Sequence, residues 1–412
     1  MWNWWRKMDR FQLGWKLGTV GDCCTDAFTG KSPKYSKTKT EYRIIGQQAN
    51  QRYGIDLRYV KYGTTEFGDA QEDRFFLRYN DVILNTLGTG SIGRSGIYKR
   101  REPILTDGHP FVFRTSEICL PDYLFHYLRY SEKQIIDSAS GSTNQRFLKL
   151  KSFLLFPIPI PPIDEQERIV GRIEELFSQL DAGLETLKKT KAQLAVYRQA
   201  VLKEAFEGDY PRKQLKEFSK AISGFAFKSS RYSPDGKYIV VKIGNVKERH
   251  FDFSRDLTKT LEADDSILEK YLLQHGDCVI TLTGSRGKRD YGFVAMVEDQ
   301  SNYLLNQRVA VLRFDQSVAL PEFFQYYLAS PEYRDMFFSY ETGNVGQGNV
   351  GIKALLDPYV ILPDIDTQKR IVEEVEARLS VCDSIDQTID MALQQAEAMR
   401  QSILKDAFEG RL

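Results

Sequence analysis

No run of 18 apolar residues occurs in this 412-residue chain, so nothing in it reads as a membrane-spanning helix. The opening residues, Met1-Trp2-Asn3-Trp4-Trp5-Arg6-Lys7, lack the apolar core and cleavage site of a secretion signal, and the expected location is cytoplasmic. Histidine is scarce: His109, His126, His250 and His275 stand far apart. Cys23, Cys24, Cys119, Cys278 and Cys382 make an odd count with no C-x-x-C pair. That pattern argues against a disulfide framework and against a zinc site, and no metal ligand is assigned. A dominant charge is missing too, since 57 Lys and Arg face 56 Asp and Glu. The balance is uneven along the chain. Residues 1–162 hold 24 basic and 16 acidic side chains, whereas residues 209–364 hold 20 and 21.

Catalytic signatures are also lacking. No Ser/His/Asp or Cys/His arrangement is suggested, and no proline–aspartate nuclease centre is followed by E-x-K. Asp357-Pro358-Tyr359 is one proline short of the D-P-P-Y loop of amino-methyltransferases and directly precedes a helical segment. One stretch does resemble a cofactor cradle. Gly88-Thr89-Gly90-Ser91-Ile92-Gly93 is a literal G-x-G-x-x-G behind Val82-Ile83-Leu84. Such a cradle works only if its last glycine opens a helix whose N–H groups meet the phosphates. Gly96 and Pro103 bracket too few residues for one, so a strand and a glycine-rich surface loop are expected. No catalytic residue is assigned.

What is present is a repeat. Residues 163–208 and 365–410 align without a gap at an offset of 202. Ile163/Ile365, Gln166/Gln368, Arg168/Arg370, Ile169/Ile371 and Val170/Val372 are identical, and each copy closes on Ala-Phe-Glu-Gly. In the first copy Ile173, Leu180, Leu187, Leu194 and Val201 recur every seven residues; in the second Val375, Cys382, Ile389, Ala396 and Ile403 do so. A second row three residues on is mostly apolar, with Leu176, Tyr197, Ile385, Ala392 and Met399. Gly183, Thr190 and Arg378 interrupt it. Sustained heptads predict a coiled-coil seam. About 45 residues at about 1.5 Å each give rods of roughly 67 Å. A duplicated chain favours a two-fold-like arrangement, so the rods are expected antiparallel with one head at each end.

The expected fold is therefore α+β, a pseudo-two-fold tandem duplication. Two globular mixed α/β heads, residues 1–162 and 209–364, are joined by two long antiparallel coiled-coil helices, residues 163–208 and 365–412. The rods are alike and the heads are not, which suggests like partners for the rods and unlike targets for the heads. Loops of the heads carry cations beside hydroxyls and glycine amides, a mixture suited to phosphate. In head one these are Lys31, Lys34, Thr89, Ser91 and Arg94; in head two, Lys228, Arg231, Thr283, Ser285 and Arg286. Side-chain amides able to read adenine edges lie at Gln47, Gln48, Asn144, Gln145, Asn306 and Gln307.

Several of these residues carry a family resemblance. Pro-Pro-Ile-Asp-Glu-Gln-Glu-Arg-Ile-Val from Pro161 and Pro-Asp-Ile-Asp-Thr-Gln-Lys-Arg-Ile-Val from Pro363 are similar to the specificity (S, or HsdS) subunits of type I restriction–modification systems. So are Gly224-Phe225-Ala226-Phe227-Lys228-Ser229, Gly276-Asp277 and Leu305-Asn306-Gln307-Arg308, which resemble that family's target recognition domains. Head one departs, with Leu105-Thr106-Asp107-Gly108 where head two has Leu305-Asn306-Gln307. The resemblance implies a non-catalytic reader of double-stranded DNA. Each head would recognise half of a bipartite target, and the rods would set the spacing and dock two methylation (M) subunits. Restriction (R) subunits would join the full complex. S-adenosylmethionine, ATP and magnesium would belong to those partners, with no cofactor in this chain. Two other classes compete: a self-sufficient DNA-binding or scaffold protein, and a methyltransferase or nuclease with a disguised site.

Overall fold

The computed structural model describes residues 14–412 except 53, 89, 142–145, 262, 300, 301 and 345. It divides into two compact units, Met1–Leu187 with Met391–Leu412 (unit 1) and Lys188–Asp390 (unit 2). Each long helix therefore contributes residues to both units.

Unit 1 is built on a four-stranded antiparallel sheet. Its strands are β1 (Cys24–Thr29), β2 (Val82–Leu84), β3 (Ser95–Ile97) and β4 (Phe111–Thr115), in the order β1-β4-β2-β3. Side chains alternate across a strand, and here both faces are covered. Val82, Leu84, Phe111 and Phe113 pack with Tyr123, Leu124 and Tyr127 of helix α1 (Pro121–Tyr130). Ile83 and Val112 turn the other way, onto Ile44, Ile45 and Leu105. Those residues come from a small sheet in which Arg43–Ile45 pairs antiparallel with Lys61–Tyr62 and parallel with Leu105–Thr106. Burial on both faces explains why the strands read as unbroken apolar runs.

Unit 2 repeats this plan. Strands β5 (Ser219–Ser223), β6 (Cys278–Thr281), β7 (Val294–Met296) and β8 (Val309–Phe314) lie in the order β5-β8-β6-β7. Cys278, Ile280 and Leu312 face helix α2 (Pro321–Ala329), while Val279 and Val311 face Val241 and Leu305 of a second small sheet. That sheet pairs Tyr238–Val241 antiparallel with Lys259–Thr260 and parallel with Tyr303–Leu305.

A strand and a proline precede each long helix. Pro157–Ile160 pairs with Lys16–Thr19 before the central helix, Ile163–Ala205. Tyr359–Ile361 pairs with Arg212–Gln214 before the C-terminal helix, Ile365–Phe408. The repeated Gln166 and Gln368 are fully buried clasps at these junctions. Gln166 Oε1 accepts the Leu120 N–H at 2.8 Å, and its Nε2 donates to the Ile118 and Pro161 carbonyls at 2.8 and 2.9 Å. Gln368 repeats all three bonds with Leu320, Val318 and Pro363 at 2.8, 2.9 and 2.8 Å. The repeated phenylalanine closes each unit from the other helix end. Phe408 lies against Tyr123, Tyr127 and Tyr130 in unit 1, and Phe206 against Phe323 and Tyr327 in unit 2.

Within each unit the two helices run antiparallel. In unit 1 Asp181 pairs with Arg400, and Arg168 donates to the Leu412 carbonyl at 3.0 Å. In unit 2 Lys191 pairs with Asp390 at 2.5 Å, Arg198 with Asp383 at 2.8 Å and Glu204 with Arg378 at 2.8 Å. Rising numbers on one helix meet falling numbers on the other. The first heptad row is the seam: Ile173, Leu194, Val201, Val375, Cys382, Ile389 and Ala396 are buried, and Leu180, Leu187 and Ile403 are half-buried. The second row corrects the two-row expectation. Tyr197, Ile385 and Met399 are exposed, because Arg198 and Arg400 and their aspartates take the flank that a second apolar row would fill. Gly208 also departs from the expected helix stop. The central helix already ends at Ala205, whereas Gly410 adopts the left-handed conformation just past the C-terminal helix.

Candidate nucleic-acid interface

In an antiparallel sheet, the C-terminal ends of β1 and β2 lie beside the N-terminal ends of β4 and β3. Unit 1 therefore gathers at one sheet edge the loops that begin at Gly30, Leu87 and Asp107. Gly30 is pressed so close to the Thr106 carbonyl that an added Cβ would sit 2.1 Å from its oxygen. Gln47 Oε1 accepts the Thr86 and Leu87 N–H groups at 2.9 and 3.0 Å, tying the small sheet to this edge. Thr86 Oγ1 donates to the His109 carbonyl at 2.5 Å. The chain after β2 makes a glycine-rich turn in which Gly88, Gly90 and Gly93 have φ of +95°, +80° and +81°. It then returns as β3, with Ile83 opposite Gly96, so the G-x-G-x-x-G stretch joins two strands and opens no helix.

Unit 2 assembles the same edge. The Asn306 carbonyl lies 1.7 Å from where a Cβ on Gly224 would stand, a contact only glycine permits. The Phe225 N–H donates to the Leu305 carbonyl at 2.9 Å, and the Gln307 N–H to the Phe225 carbonyl at 2.9 Å. The Leu282 N–H donates to the Arg308 carbonyl at 3.0 Å. Arg308, at φ +68°, turns the chain sharply and leaves Gln307 exposed. The backbone also refines the match between heads. The Asp107 N–H donates to the Ile45 carbonyl at 2.9 Å as the Asn306 N–H does to Val241 at 3.1 Å, so Asp107 holds the Asn306 position.

A fourth element at this edge escaped the sequence reading as a unit. Ser140 bridges Phe147, and Thr342 bridges Asn349, 202 residues later. Each hairpin lies along the chain that follows the central strand, through Leu87 opposite Phe147 and Thr283 opposite Asn349. The equal offset of Gly141 and Gly343 is the signal that could have revealed it.

The predicted site residues are in several different states, and Lys34 and Arg231 lie toward the other end of the small sheets, where their carbonyls accept from the Thr64 N–H at 2.9 Å and Thr260 Oγ1 at 3.1 Å. Lys34, Gln48, Lys228, Arg231, Arg286 and Gln307 are exposed. Lys31 is exposed too, its ammonium 5.0 Å from the Phe75 ring centroid. Gln47 and Arg94 are corrected toward scaffold. Gln47 braces the turn as above, and Arg94 folds back onto the Gly90 and Asn50 carbonyls at 2.8 and 3.3 Å. Ser91 is likewise turned inward, to the Leu87 carbonyl at 2.9 Å. Ser285 offers its N–H to Asp290 at 2.7 Å. Arg286 donates to the Gly343 carbonyl at 2.7 Å, and Arg289 pairs with Asp335 at 2.6 Å. Lys288, which the sequence reading did not select, is the cation of that turn whose side chain makes no hydrogen bond or ion pair among the described residues, acting on Asp290 only through its charge. Thr283 Oγ1 and Asn306 Oδ1 are buried there without a hydrogen-bond partner. Thr89, Asn144 and Gln145 lie outside the described residues.

Two ion pairs with buried carboxylates sit elsewhere. Asp81 holds Arg114 at 3.1 Å and Asp277 holds Arg313 at 2.7 Å, at the start of each central strand. Burial pushes the Asp81 carboxyl up, and the Arg78 N–H and Arg114 offset only part of that. These are repeated structural pairs. Among the described residues no group of three or more His, Cys, Asp or Glu is placed to hold a metal ion, and no helix is long and apolar enough to cross a membrane.

This architecture has known counterparts. The type I restriction modification DNA specificity domain matches residues 12–195 and again residues 207–395. The specificity subunit of the type I restriction enzyme EcoKI from Escherichia coli is 27% identical over 319 residues, 73% of this chain and 68% of that protein. The MjaVIII specificity subunit of Methanocaldococcus jannaschii is 23% identical over 410 residues, 94% of this chain and 90% of that protein. The chain spans about two thirds of the Escherichia coli relatives EcoKI and EcoBI. Among solved structures, a chain from work on assembly and conformational transition of the type I R-M system has a TM-score of 0.73 at 19% identity, covering 97% of this chain and 99% of its own. The HsdS subunit of Thermoanaerobacter tengcongensis has a TM-score of 0.56 at 18% identity, covering 98% of each. The tandem domains, the doubled helices and the matched residues together show that this chain belongs to the type I restriction–modification specificity subunits, a family of non-catalytic DNA-recognition subunits.

Proposed function

We propose that each unit reads one half of a bipartite double-stranded DNA target, and that the two long helices fix the spacing between the halves and dock two methylation subunits. One observation carries this. The two units share a sheet, a helix, a hairpin and a glutamine clasp, yet the loops that converge on the same sheet edge differ in sequence. A common frame with divergent loops suits two readers of different sequences. Exposed Lys34, Lys228 and Arg231 supply phosphate contacts, and exposed Gln48 and Gln307 supply base-edge amides. The outward second heptad row, with Met399 in unit 1 and Tyr197 and Ile385 in unit 2, offers apolar surface to partner helices. Restriction subunits join the same assembly in the cytoplasm. S-adenosylmethionine, ATP and magnesium belong to the partners.

The test is binding by the chain with its methylation subunits to four duplexes: cognate, first half scrambled, second half scrambled, and both scrambled. Independent losses from each half support the proposal. Equal affinity for all four overturns it, and so does S-adenosylmethionine binding by this chain alone.

A further inference from the structure

We infer that Glu341 is a positioning residue for sequence reading by unit 2, holding the cationic turn of residues 285–289 against the hairpin closed by Thr342 and Asn349. The inference rests on the proposal that this sheet edge meets DNA. It is carried by a carboxylate tie for which unit 1 has Ala139 at the corresponding position.

The turn leaves the sheet after β6 and must pass its polar backbone through solvent before Tyr291 re-enters the core. Three ties fasten it to the hairpin. Thr283 and Gly284 pair antiparallel with Asn349 and Gly348. Arg286 donates to the Gly343 carbonyl at 2.7 Å. The Glu341 carboxylate accepts the Gly287 N–H at 3.3 and 3.4 Å, and accepts the buried Tyr291 O–H at 2.7 Å. The third tie joins the tip of the turn to its root through one side chain. Gly287 has φ +74°, a conformation that a free turn keeps only weakly, so the bond to its N–H fixes the tip where it bends. The packing around the carboxylate is close. A Cβ on Gly348 would stand 2.3 Å from Glu341 Oε1.

An acid among Arg286, Lys288 and Arg289 is a poor choice for a surface whose only duty is to attract phosphate. It makes sense where shape matters more than charge. With Arg286 and Arg289 occupied, the held turn presents Lys288 and its backbone amides in one arrangement, on the chain whose Leu282 N–H donates to the Arg308 carbonyl at 3.0 Å. Unit 1 has Ala139 at the position 202 residues before Glu341, so this carboxylate tie is peculiar to unit 2. Its loss should disturb one half of the target only.

The experiment uses the chain assembled with its methylation subunits, and duplexes scrambled in either half. Glu341→Ala is expected to lower discrimination at the half read by unit 2 by roughly tenfold or more, the scale of one good base contact. Discrimination at the other half should stay as in wild type. Glu341→Gln, which keeps an acceptor oxygen, should restore most of the loss. Tyr291→Phe, which removes one donor, should lower discrimination in the same half. Full discrimination by Glu341→Ala, or equal loss in both halves, overturns the inference. If Glu341→Ala fails to assemble, Tyr291→Phe decides, and unchanged discrimination there overturns it equally. A wild-type complex indifferent to each half would instead overturn the reading of the units, and the inference with it.

Discussion

Arg286 and Lys288 stand two residues apart in one loop and are set different tasks. Arg286 is tied to the Gly343 carbonyl, while the Lys288 side chain makes no hydrogen bond or ion pair among the described residues. Lys288→Ala should therefore weaken binding to cognate and scrambled duplexes alike and lower the salt slope by about 1. Gln307→Ala should weaken the cognate duplex preferentially, by about 1–3 kcal/mol for a bidentate base contact. Isotherms on both duplexes at two salt concentrations separate them; a Gln307→Ala loss that is equal on both duplexes assigns that amide to the scaffold. A third residue gives a pH signature in unit 1. Burial drives the His126 imidazole from 6.5 down to about 3, with Arg129 and Lys99 adding to the effect. The folded state thus keeps His126 neutral while the unfolded chain takes up a proton below about 6.5. Its contribution to stability is whole above that pH and is lost as pH falls toward 3, at up to about 1.4 kcal/mol per pH unit. Denaturant melts of wild type and His126→Phe at pH 5 and pH 7.5 should show a smaller pH loss in the variant. At this scale the sequence was least legible. Residue type suggested Gln47 and Arg94 as DNA contacts, but whether an amide or guanidinium points at solvent or at a neighbouring carbonyl depends on long-range packing that no local pattern encodes.

The elements were far more legible, because their signals are periodic. Heptads marked both long helices, and the apolar run Val82-Ile83-Leu84 marked the central strand of unit 1, which is covered on both faces. What the heptads concealed was the flank. Arg198 and Arg400 fall one residue after the second-row positions and carry ion pairs that replace an apolar row. Two substitutions test the elements. Phe408→Ala removes a buried ring that lies against three tyrosines of unit 1, and should cost about 3–5 kcal/mol. Ile389→Asp places an uncompensated charge in the seam of unit 2 and should cost several kcal/mol, with loss of methylation at both half-sites. Melting and methylation both equal to wild type for Ile389→Asp would refute its place in the seam.

For the molecule as a whole, the duplication was the most legible feature and the most consequential. One offset of 202 predicted paired helices, and the structure adds that its repeated glutamines are paired clasps and its repeated phenylalanines close each unit. It also showed that the heads diverge, and the structure gathers differing loops at one sheet edge. The central claim is a division of labour: units choose bases and helices set spacing. The most direct measurement is methylome sequencing of a host carrying this chain and its methylation subunit, before and after residues 209–364 are replaced by the corresponding unit of a relative. The account predicts that one half of the bipartite motif changes while the other half and the spacer are retained. A change in both halves, or in the spacer alone, would contradict it.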